Sequence, residues 1–285
     1  FRRVETGVCR GGQFLDAWLF SASDCNATSS AFLLSRTNLL APLKRYRTHE
    51  CVLPSIKVLD ELGEAIRTGT MTPTDWALFR ELRQQWLGSL DSLKSELDQM
   101  NNLQHLIISG RLKNTLTIRE KLLRSTLRLS NIRDIIGCRV VVPNNIAVQD
   151  LVVRDIAMLI QSDRYKIIDR RVNSNNGYRA VHLELRRDGM ICEIQVRTHL
   201  QDLWASTSEA FGEIVGREFR YGMQIQLEGF STWSRKLISQ ITDGLSEASK
   251  QIGTNEDKHQ DEIAEIEQSL AIINSYIYEI TEGVS

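Results

Sequence analysis

The fold is decided by a hairpin-like stretch, RAVHLELRRDGMICEIQVRT, at positions 179–198. Two alternating runs, 179–186 and 190–197, flank Arg187-Asp188-Gly189, a sequence typical of a tight turn. Because successive side chains of a strand lie on opposite faces of the sheet, the polar residues of both runs share one face. We therefore expect two antiparallel strands with one apolar and one polar face. The polar face holds His182, Glu184, Glu193, Gln195 and Arg197.

Helical patterns surround this hairpin. Two more strand-like runs, 138–142 and 165–169, enclose a helical segment at 147–161. Apolar residues also recur every three or four positions from about residue 52 to Ile107, and again after Thr198. The C-terminal part reads as a long helix or helix pair with an apolar stripe that is a candidate contact between copies of the chain. The stripe consists of Ile263, Ile266, Leu270, Ile273 and Ile277.

Composition excludes some classes of protein. The 285 residues include 35 basic and 36 acidic ones, so a uniformly basic nucleic-acid-binding surface is excluded, although a local basic patch is not. No stretch reaches the roughly 20 apolar residues of a membrane helix, and the first residues do not resemble a signal peptide. Five cysteines without a CxxC pair favour reduced thiols in a cytoplasmic protein. We expect Cys138 and Cys192 to be buried packing residues.

A local basic patch lies in residues 111–139, which hold eight basic residues but only two acidic ones. Arg111, Lys113 and Lys121 flank an expected helix start, with Thr117 as its expected cap. Lysine binds phosphate as a point charge, whereas arginine binds it as a fork of donors. The segment is therefore a candidate polyphosphate site, although solvated or RNA-contacting basic helices have the same composition.

Asp134 adds a carboxylate to this basic neighbourhood. It directly precedes an apolar strand-like run, and together with Glu193 on the hairpin it could bind one divalent ion. Mg²⁺ takes a few carboxylates together with substrate phosphates and water. No Cys/His cluster has the spacing of zinc ligands. We therefore expect Mg²⁺ rather than zinc.

The turn 175–178, Asn-Asn-Gly-Tyr, places an aromatic residue beside the strand that carries His182. An exposed tyrosine next to cations is suited to stacking on a nucleobase. A buried tyrosine with a bonded hydroxyl fits the same residues equally well. Both interpretations of Tyr178 stay open at this point.

Four sequence elements together resemble RelA/SpoT-type alarmone synthetases. The first is Arg111-x-Lys113 with Thr117-Ile118 and Lys121, which resembles R-x-K-x-x-x-[ST]-I-x-x-K. The others are RDIIGCR at 133–139, NGYRAVH at 176–182, and EIQVRT at 193–198 followed by LWA at 203–205. They resemble the family's D-I-x-G-x-R, N-G-Y-R-[SA]-x-H and E-[IV]-Q-[IV]-R-T…W-A elements, in the same order.

The resemblance implies an α+β fold, with a mixed β-sheet flanked by helices and a nucleotidyltransferase-like core. We expect an irregular or non-native arm at 1–50, a synthetase domain at 51–222 and a C-terminal helical extension at 223–285. Within the synthetase domain, a helical lead-in covers 51–110 and the catalytic core covers 111–222. The implied reaction transfers pyrophosphate from ATP to the ribose 3′-hydroxyl of GDP or GTP, which produces (p)ppGpp.

The family's site residues carry over by position. On the ATP side, the resemblance implies that Arg111 and Arg139 sandwich the adenine and that Lys113 and Lys121 hold the phosphates. Asp134 and Glu193 would bind Mg²⁺.

Glu193 is also placed to help deprotonate the attacking hydroxyl. On the acceptor side, Tyr178 would stack on the base and His182 would contact the phosphates. The remaining acceptor-side residues are Asn176, Gln195 and Arg197.

The chain departs from the family pattern at three positions, one of which is Ser206 in place of a common acid. Ser174 stands where many members have a lysine that faces acceptor phosphates, although Arg170 and Arg171 lie nearby in sequence. Glu209 stands where members often have a histidine. The acceptor therefore has alternatives, and a toxin-type relative would modify the tRNA 3′ end or an adenine nucleotide instead. A third interpretation is a catalytically silent nucleotide- or RNA-binding module.

Overall fold

The computed structural model describes residues 54–100, 106–160, 165–172, 175–217, 219, 222, 224–253 and 259–283. The arm expected at 1–50 and the departure at Ser174 lie outside the described residues. None of the helices in the described ranges is long and apolar enough to cross a membrane.

Within these ranges, five strands form one mixed sheet. They are β1 (Ile107–Leu112), β2 (Ile136–Val142), β3 (Tyr165–Asp169), β4 (Val181–Arg187) and β5 (Met190–Thr198). The strand order is β1-β2-β5-β4-β3. Strands β2 and β5 run parallel, whereas the other neighbouring strands are antiparallel.

Helices precede, interrupt and follow the strands in the described part of the chain. They are α1 (Ile56–Thr68), α2 (Pro73–Met100), α3 (Thr115–Arg124), α4 (Ile146–Leu159), α5 (His199–Val215), α6 (Thr232–Gly253) and α7 (Gln260–Glu282). This arrangement of a mixed sheet with flanking helices confirms the predicted α+β fold class.

The hairpin β4–β5 forms as the sequence predicts. Asp188 and Gly189 occupy its turn with φ values of 45° and 77°, the left-handed conformation that a two-residue type I′ turn requires. The strand register places His182 opposite Gln195. The polar side chains therefore share one face of the sheet, and most apolar residues of both strands are buried on the other.

Strand β1 corrects the predicted extension of the helical pattern to Ile107. Helix α2 ends at Met100, and the chain then pairs antiparallel with β2 from Ile107 onward. The close approach of α2 to this strand depends on Gly110, where a Cβ atom would lie 3.0 Å from Leu90. Tertiary packing and strand pairing thus outweigh the local apolar periodicity.

The start of α3 also differs from the prediction. Arg111 lies in β1 rather than beside a helix start. The cap of α3 is Asn114, whose Oδ1 accepts a hydrogen bond of 2.7 Å from the backbone N–H of Thr117. Asparagine is among the best N-cap residues, and Thr117 lies three residues after it.

Two apolar clusters stabilise the fold. The first covers the apolar face of the sheet with α2 and α4, and it contains Cys138 and Cys192 as predicted. Burial raises the pKa of each thiol to about 12, so both remain protonated at neutral pH. The second cluster joins α5, α6 and α7.

The second cluster uses the C-terminal apolar stripe within one chain. All five stripe residues of α7, from Ile263 to Ile277, are buried in the contacts of α7 with α5 and α6. A stripe covered by neighbouring helices cannot also contact a second copy. The structure therefore corrects the prediction that this stripe is an oligomer contact.

Candidate active site

Asp134 lies between two lysines. Lys113 follows β1 directly, and its Nζ lies 2.9 Å from Asp134 Oδ2. Lys121 lies on α3, and its Nζ lies 2.7 Å from Asp134 Oδ1. Burial alone would raise the pKa of Asp134, but the two lysines outweigh it and hold this pKa below its usual value. The carboxylate is therefore ionised at neutral pH.

The same environment acts on Lys113. Its side chain is only 10% exposed. Burial lowers the pKa of Lys113, and the charge of Asp134 opposes that change only in part. A buried lysine with a single carboxylate partner has spare donors for a second anion, because an ammonium carries three.

Glu193 on β5 is held by donors of a different kind. Its Oε1 lies 2.9 Å from Nδ1 of His182, and its Oε2 accepts a hydrogen bond of 2.7 Å from Gln195 Nε2. Burial alone would raise the pKa of Glu193, but these hydrogen bonds outweigh it and the pKa is lowered. Glu193 is thus also ionised at neutral pH.

A hydrogen-bond chain continues from Glu193 to Tyr178. The Tyr178 hydroxyl lies 2.8 Å from His182 Nε2 and accepts a bond of 3.0 Å from Arg197 Nη2. A consistent donor order runs from Arg197 to the tyrosine oxygen, from the tyrosine O–H to Nε2, and from Nδ1–H to Glu193. This order fixes both the ring of His182 and the carboxylate.

Tyr178 combines features of both sequence interpretations. Its side chain is half-buried rather than fully exposed, and its hydroxyl is bonded. Burial raises the pKa of Tyr178, although the nearby Arg197 opposes this, so the hydroxyl keeps its proton. The guanidinium of Arg197 also lies 5.1 Å from the centre of the ring.

Both carboxylates line one cleft of about 490 Å³. The cleft lies on the polar side of the sheet, as predicted for His182 and Glu193. Its charged lining residues are Lys121, Arg133, Asp134, Arg170, Glu184 and Glu193. Glu184 lies directly opposite Glu193 in the β4–β5 register and bonds to Arg133 at 3.0 Å. This arginine–glutamate pair was not predicted, because the partners are 51 positions apart.

The two predicted adenine-binding arginines differ in their surroundings. Arg111 on β1 is exposed. Arg139 on β2 is mostly buried, and its Nη1 lies 3.1 Å from Asp202. Asp202 also binds Arg197 at 2.9 Å, so one carboxylate in the first turn of α5 fixes arginines of two strands. Asp202 was not among the predicted site residues; its place four residues after Thr198, the cap of α5, is the only local signal.

Asn176 lies at the turn before β4 and is not among the residues that line the cleft. Its backbone is left-handed, with φ 51° and ψ 35°, and its side chain is exposed beside Gly222. Asparagine tolerates this conformation better than most residues. Asn176 thus provides the left-handed backbone conformation of this turn.

Helix α6 holds the same turn from outside. Ser249 Oγ donates to the carbonyl oxygen of Gly177 at 3.2 Å, and Arg179 Nη1 donates to Ser249 Oγ at 2.7 Å. A Cβ atom at Gly177 would lie 2.6 Å from Ser249 and 2.7 Å from Trp204, so only glycine fits there. The C-terminal helices thus fix the backbone that carries Tyr178.

The donor set fits Mg²⁺ bound together with substrate phosphates. Among the described residues, no three Cys, His, Asp or Glu side chains gather closely enough to hold a metal by themselves. Mg²⁺ does not need such a cluster, since it is commonly held by one or two carboxylates and by phosphate oxygens. Asp134 and Glu193, both ionised and both on the cleft, are suitable carboxylates.

A family comparison matches this part of the chain. Residues 110–211 match the family model described as a region found in RelA / SpoT proteins. These residues are a RelA/SpoT-type domain. The RelA/SpoT-type domain contains every predicted site residue from Arg111 to Arg197.

Relatives of the chain are known from mycobacteria. The uncharacterized protein Rv1366 of Mycobacterium tuberculosis is 33% identical over 162 residues, which cover 56% of this chain and 59% of the relative. A Mycobacterium bovis protein, also uncharacterized, matches equally well. The match therefore spans less than two thirds of these relatives.

Solved structures with some similarity include two small alarmone synthetases of Bacillus subtilis. Synthetase 1, solved with its product pppGpp, is 18% identical with a TM-score of 0.47, and the match covers 68% of this chain and 99% of that one. Synthetase 2 is 21% identical with a TM-score of 0.46, and the match covers 69% of this chain and 98% of that one.

Proposed function

We propose that this chain transfers the terminal diphosphate of ATP to the ribose 3′-hydroxyl of GDP or GTP. The observation that carries the proposal is the single cleft lined by both Asp134 and Glu193. Lysines adjoin the first carboxylate, and the Tyr178–His182 chain adjoins the second. The RelA/SpoT-type domain supports a reaction of the pyrophosphokinase type.

The proposed donor side binds and neutralises polyphosphate. Lys113 and Lys121 already hold Asp134, and their remaining donors are free to take phosphate oxygens. Arg111 is exposed, and in this proposal its guanidinium stacks on the adenine. Transfer of this kind depends mainly on positioning and on stabilising negative charge.

The proposed step is an in-line displacement at the β-phosphorus. The 3′-oxygen of the acceptor forms a bond to Pβ, and the bond between Pβ and the oxygen that bridges to Pα breaks. AMP leaves with that oxygen, and the hydroxyl proton goes to Glu193. When bound by Asp134 and Glu193, Mg²⁺ would neutralise charge on the transferred phosphates.

Glu193 is suited to act as the base, because its carboxylate is ionised and is held in place by hydrogen bonds. Its lowered pKa makes it a weak base, so it takes the proton only as the attacking hydroxyl becomes acidic in the transition state. His182 and Gln195 fix both carboxylate oxygens and so orient Glu193 toward one position of the acceptor. In this proposal, Tyr178 stacks on the acceptor base.

The test is transfer of label from ATP. The purified chain is incubated with Mg²⁺ and ATP labelled at the β- or the γ-phosphate, and GDP, GTP, ATP and bulk tRNA are offered separately. We expect both labels to appear together on GDP or GTP, with release of AMP. Transfer of the γ-label alone would contradict diphosphate transfer.

The other outcomes correspond to the alternatives. Label on tRNA or on an adenine nucleotide would assign the chain to the toxin-type relatives. No transfer to any acceptor, in a chain that still binds ATP, would indicate a silent nucleotide-binding module.

A further inference from the structure

Arg170 differs from the other cations that line the cleft. Lys121 is paired with Asp134, and Arg133 is paired with Glu184. No carboxylate among the described residues pairs with the guanidinium of Arg170, and its Nε is buried without a hydrogen-bond partner. A buried donor without a partner is unfavourable, and a guanidinium that lines the cleft without a carboxylate partner is available to an anion bound there.

The neighbouring arginine shows the contrast. Arg171 Nη2 lies 2.6 Å from Asp169, and Arg171 Nη1 lies 2.7 Å from Asp150 and 3.3 Å from Gln149. Its guanidinium is thus occupied by protein groups. The backbone N–H of Arg170 donates to the carbonyl oxygen of Ala180 at 3.0 Å, and no residue in the described ranges bonds to its guanidinium. Of these two residues, only Arg170 lines the cleft.

The position of Arg170 in the sheet indicates which reactant it meets. It follows β3, at one edge of the sheet, whereas Lys113 follows β1 at the other edge. Asp134 and Glu193 belong to the strands and junctions between these edges. In the proposed reaction, the lysines bind the phosphates of ATP. A cation on the opposite side of the two carboxylates would therefore contact the acceptor nucleotide.

We propose that Arg170 binds a phosphate group of the acceptor nucleotide. The forked guanidinium suits a phosphate, which accepts two parallel hydrogen bonds. The inference rests on the proposed function for the identity of the acceptor, but not for the binding of a phosphate group.

The first test is the binding of GDP, measured calorimetrically with the donor side filled by α,β-methylene-ATP. Hydrogen bonds to a charged group contribute about 1.5–3 kcal/mol, so Arg170→Ala should weaken GDP binding by about 10- to 150-fold. Arg170→Lys should restore part of it. Arg171→Ala is the matched control and should change the GDP affinity less than about twofold. GDP affinity within twofold of the wild type in Arg170→Ala, or equal losses in both alanine variants, would overturn the proposal.

A second probe separates this inference from the proposed function. Inorganic pyrophosphate, offered without any nucleotide, should bind the wild type more tightly than Arg170→Ala even if no label ever reaches GDP. If no label reaches GDP but the wild type still binds pyrophosphate more tightly than Arg170→Ala, only the guanine nucleotide as acceptor is refuted. The role of Arg170 as a phosphate-binding residue then stands. A wild type that binds neither pyrophosphate nor GDP would overturn the role of Arg170. The melting temperature of Arg170→Ala should equal or exceed that of the wild type, because no protein partner is lost.

Discussion

Asp134 and Glu193 line the same cleft, but they are held in different ways. Two ammonium groups hold Asp134, whereas a histidine and a glutamine side chain hold Glu193. Both carboxylates have lowered pKa values despite their burial. The same ionisation state is therefore reached by charge on one side of the cleft and by directed hydrogen bonds on the other.

This difference indicates different roles for the two sides. Lysines are flexible point charges that can exchange a carboxylate for a phosphate oxygen without losing all their partners. The Tyr178–His182–Glu193 chain is directional, and it fixes the carboxylate toward one position. We infer that the Asp134 side adapts to a polyphosphate while the Glu193 side orients a single reacting group.

The largest expected effect comes from Glu193→Gln. The substitution removes the charge but keeps the size of the side chain, so turnover should fall by about 10²–10⁴. The melting temperature should change little, because one hydrogen bond contributes only about 1 kcal/mol.

The matched control is Glu184→Gln, which removes the carboxylate directly opposite on β4. We expect it to lose less than tenfold in turnover, since Glu184 lies against Arg133. Equal losses of label transfer in both variants would show that transfer depends on the total charge of the cleft and not on Glu193 in particular.

Asp134→Asn should remove transfer and also lower stability, by about 1–3 kcal/mol, because it leaves the buried Lys113 unpaired. The pKa of Asp134 is lowered in the folded state, so its contribution is present above its unfolded pKa of about 3.9 and is lost as the pH falls through the folded value. The difference between wild type and variant should therefore be full at pH 7 and shrink below about pH 4.

Urea unfolding at several pH values measures this difference. Asp98→Asn, which breaks the exposed pair with Lys94, is the control and should change stability by less than about 1 kcal/mol. A stability loss in Asp134→Asn that does not depend on pH would mean that the ion pairs are not its cause.

The smallest effect is expected for Ser249→Ala, which removes the contact of α6 with the turn before β4. Loss of a buried hydroxyl that bonds Gly177 and Arg179 should cost about 1 kcal/mol of stability. If this contact positions Tyr178, the KM for the acceptor should rise a few-fold while the KM for ATP stays unchanged. Ser275→Ala on the exposed side of α7 is the control. Equal changes in both KM values would indicate a purely structural contact.

The hairpin and its polar face could be predicted from sequence because they depend on local rules. Alternation and the Asp188-Gly189 turn determine which side chains of β4 and β5 lie together. The same rules predict most strand limits to within two residues of the observed ones. These rules do not predict strand β1, because its six residues do not alternate between apolar and polar and its pairing with β2 is a tertiary contact.

Partners of charged groups could not be predicted, because they come from distant parts of the chain. Arg133 with Glu184, and Asp202 with Arg139, join elements whose relative placement no local pattern determines. The apolar stripe of α7 was correctly recognised as a buried face, but its periodicity cannot tell a contact within the chain from a contact between copies.

The division of the cleft into a donor side and an acceptor side is tested most directly by initial rates with both substrates varied. Arg111→Ala and Tyr178→Ala are measured side by side with ATP and the acceptor identified by label transfer. We expect Arg111→Ala to raise mainly the KM for ATP. Tyr178→Ala should raise mainly the KM for the acceptor, by about 5- to 150-fold if stacking contributes about 1–3 kcal/mol. If each variant raised both KM values equally, or if Tyr178→Ala left the KM for the acceptor unchanged, the division of the cleft would be wrong.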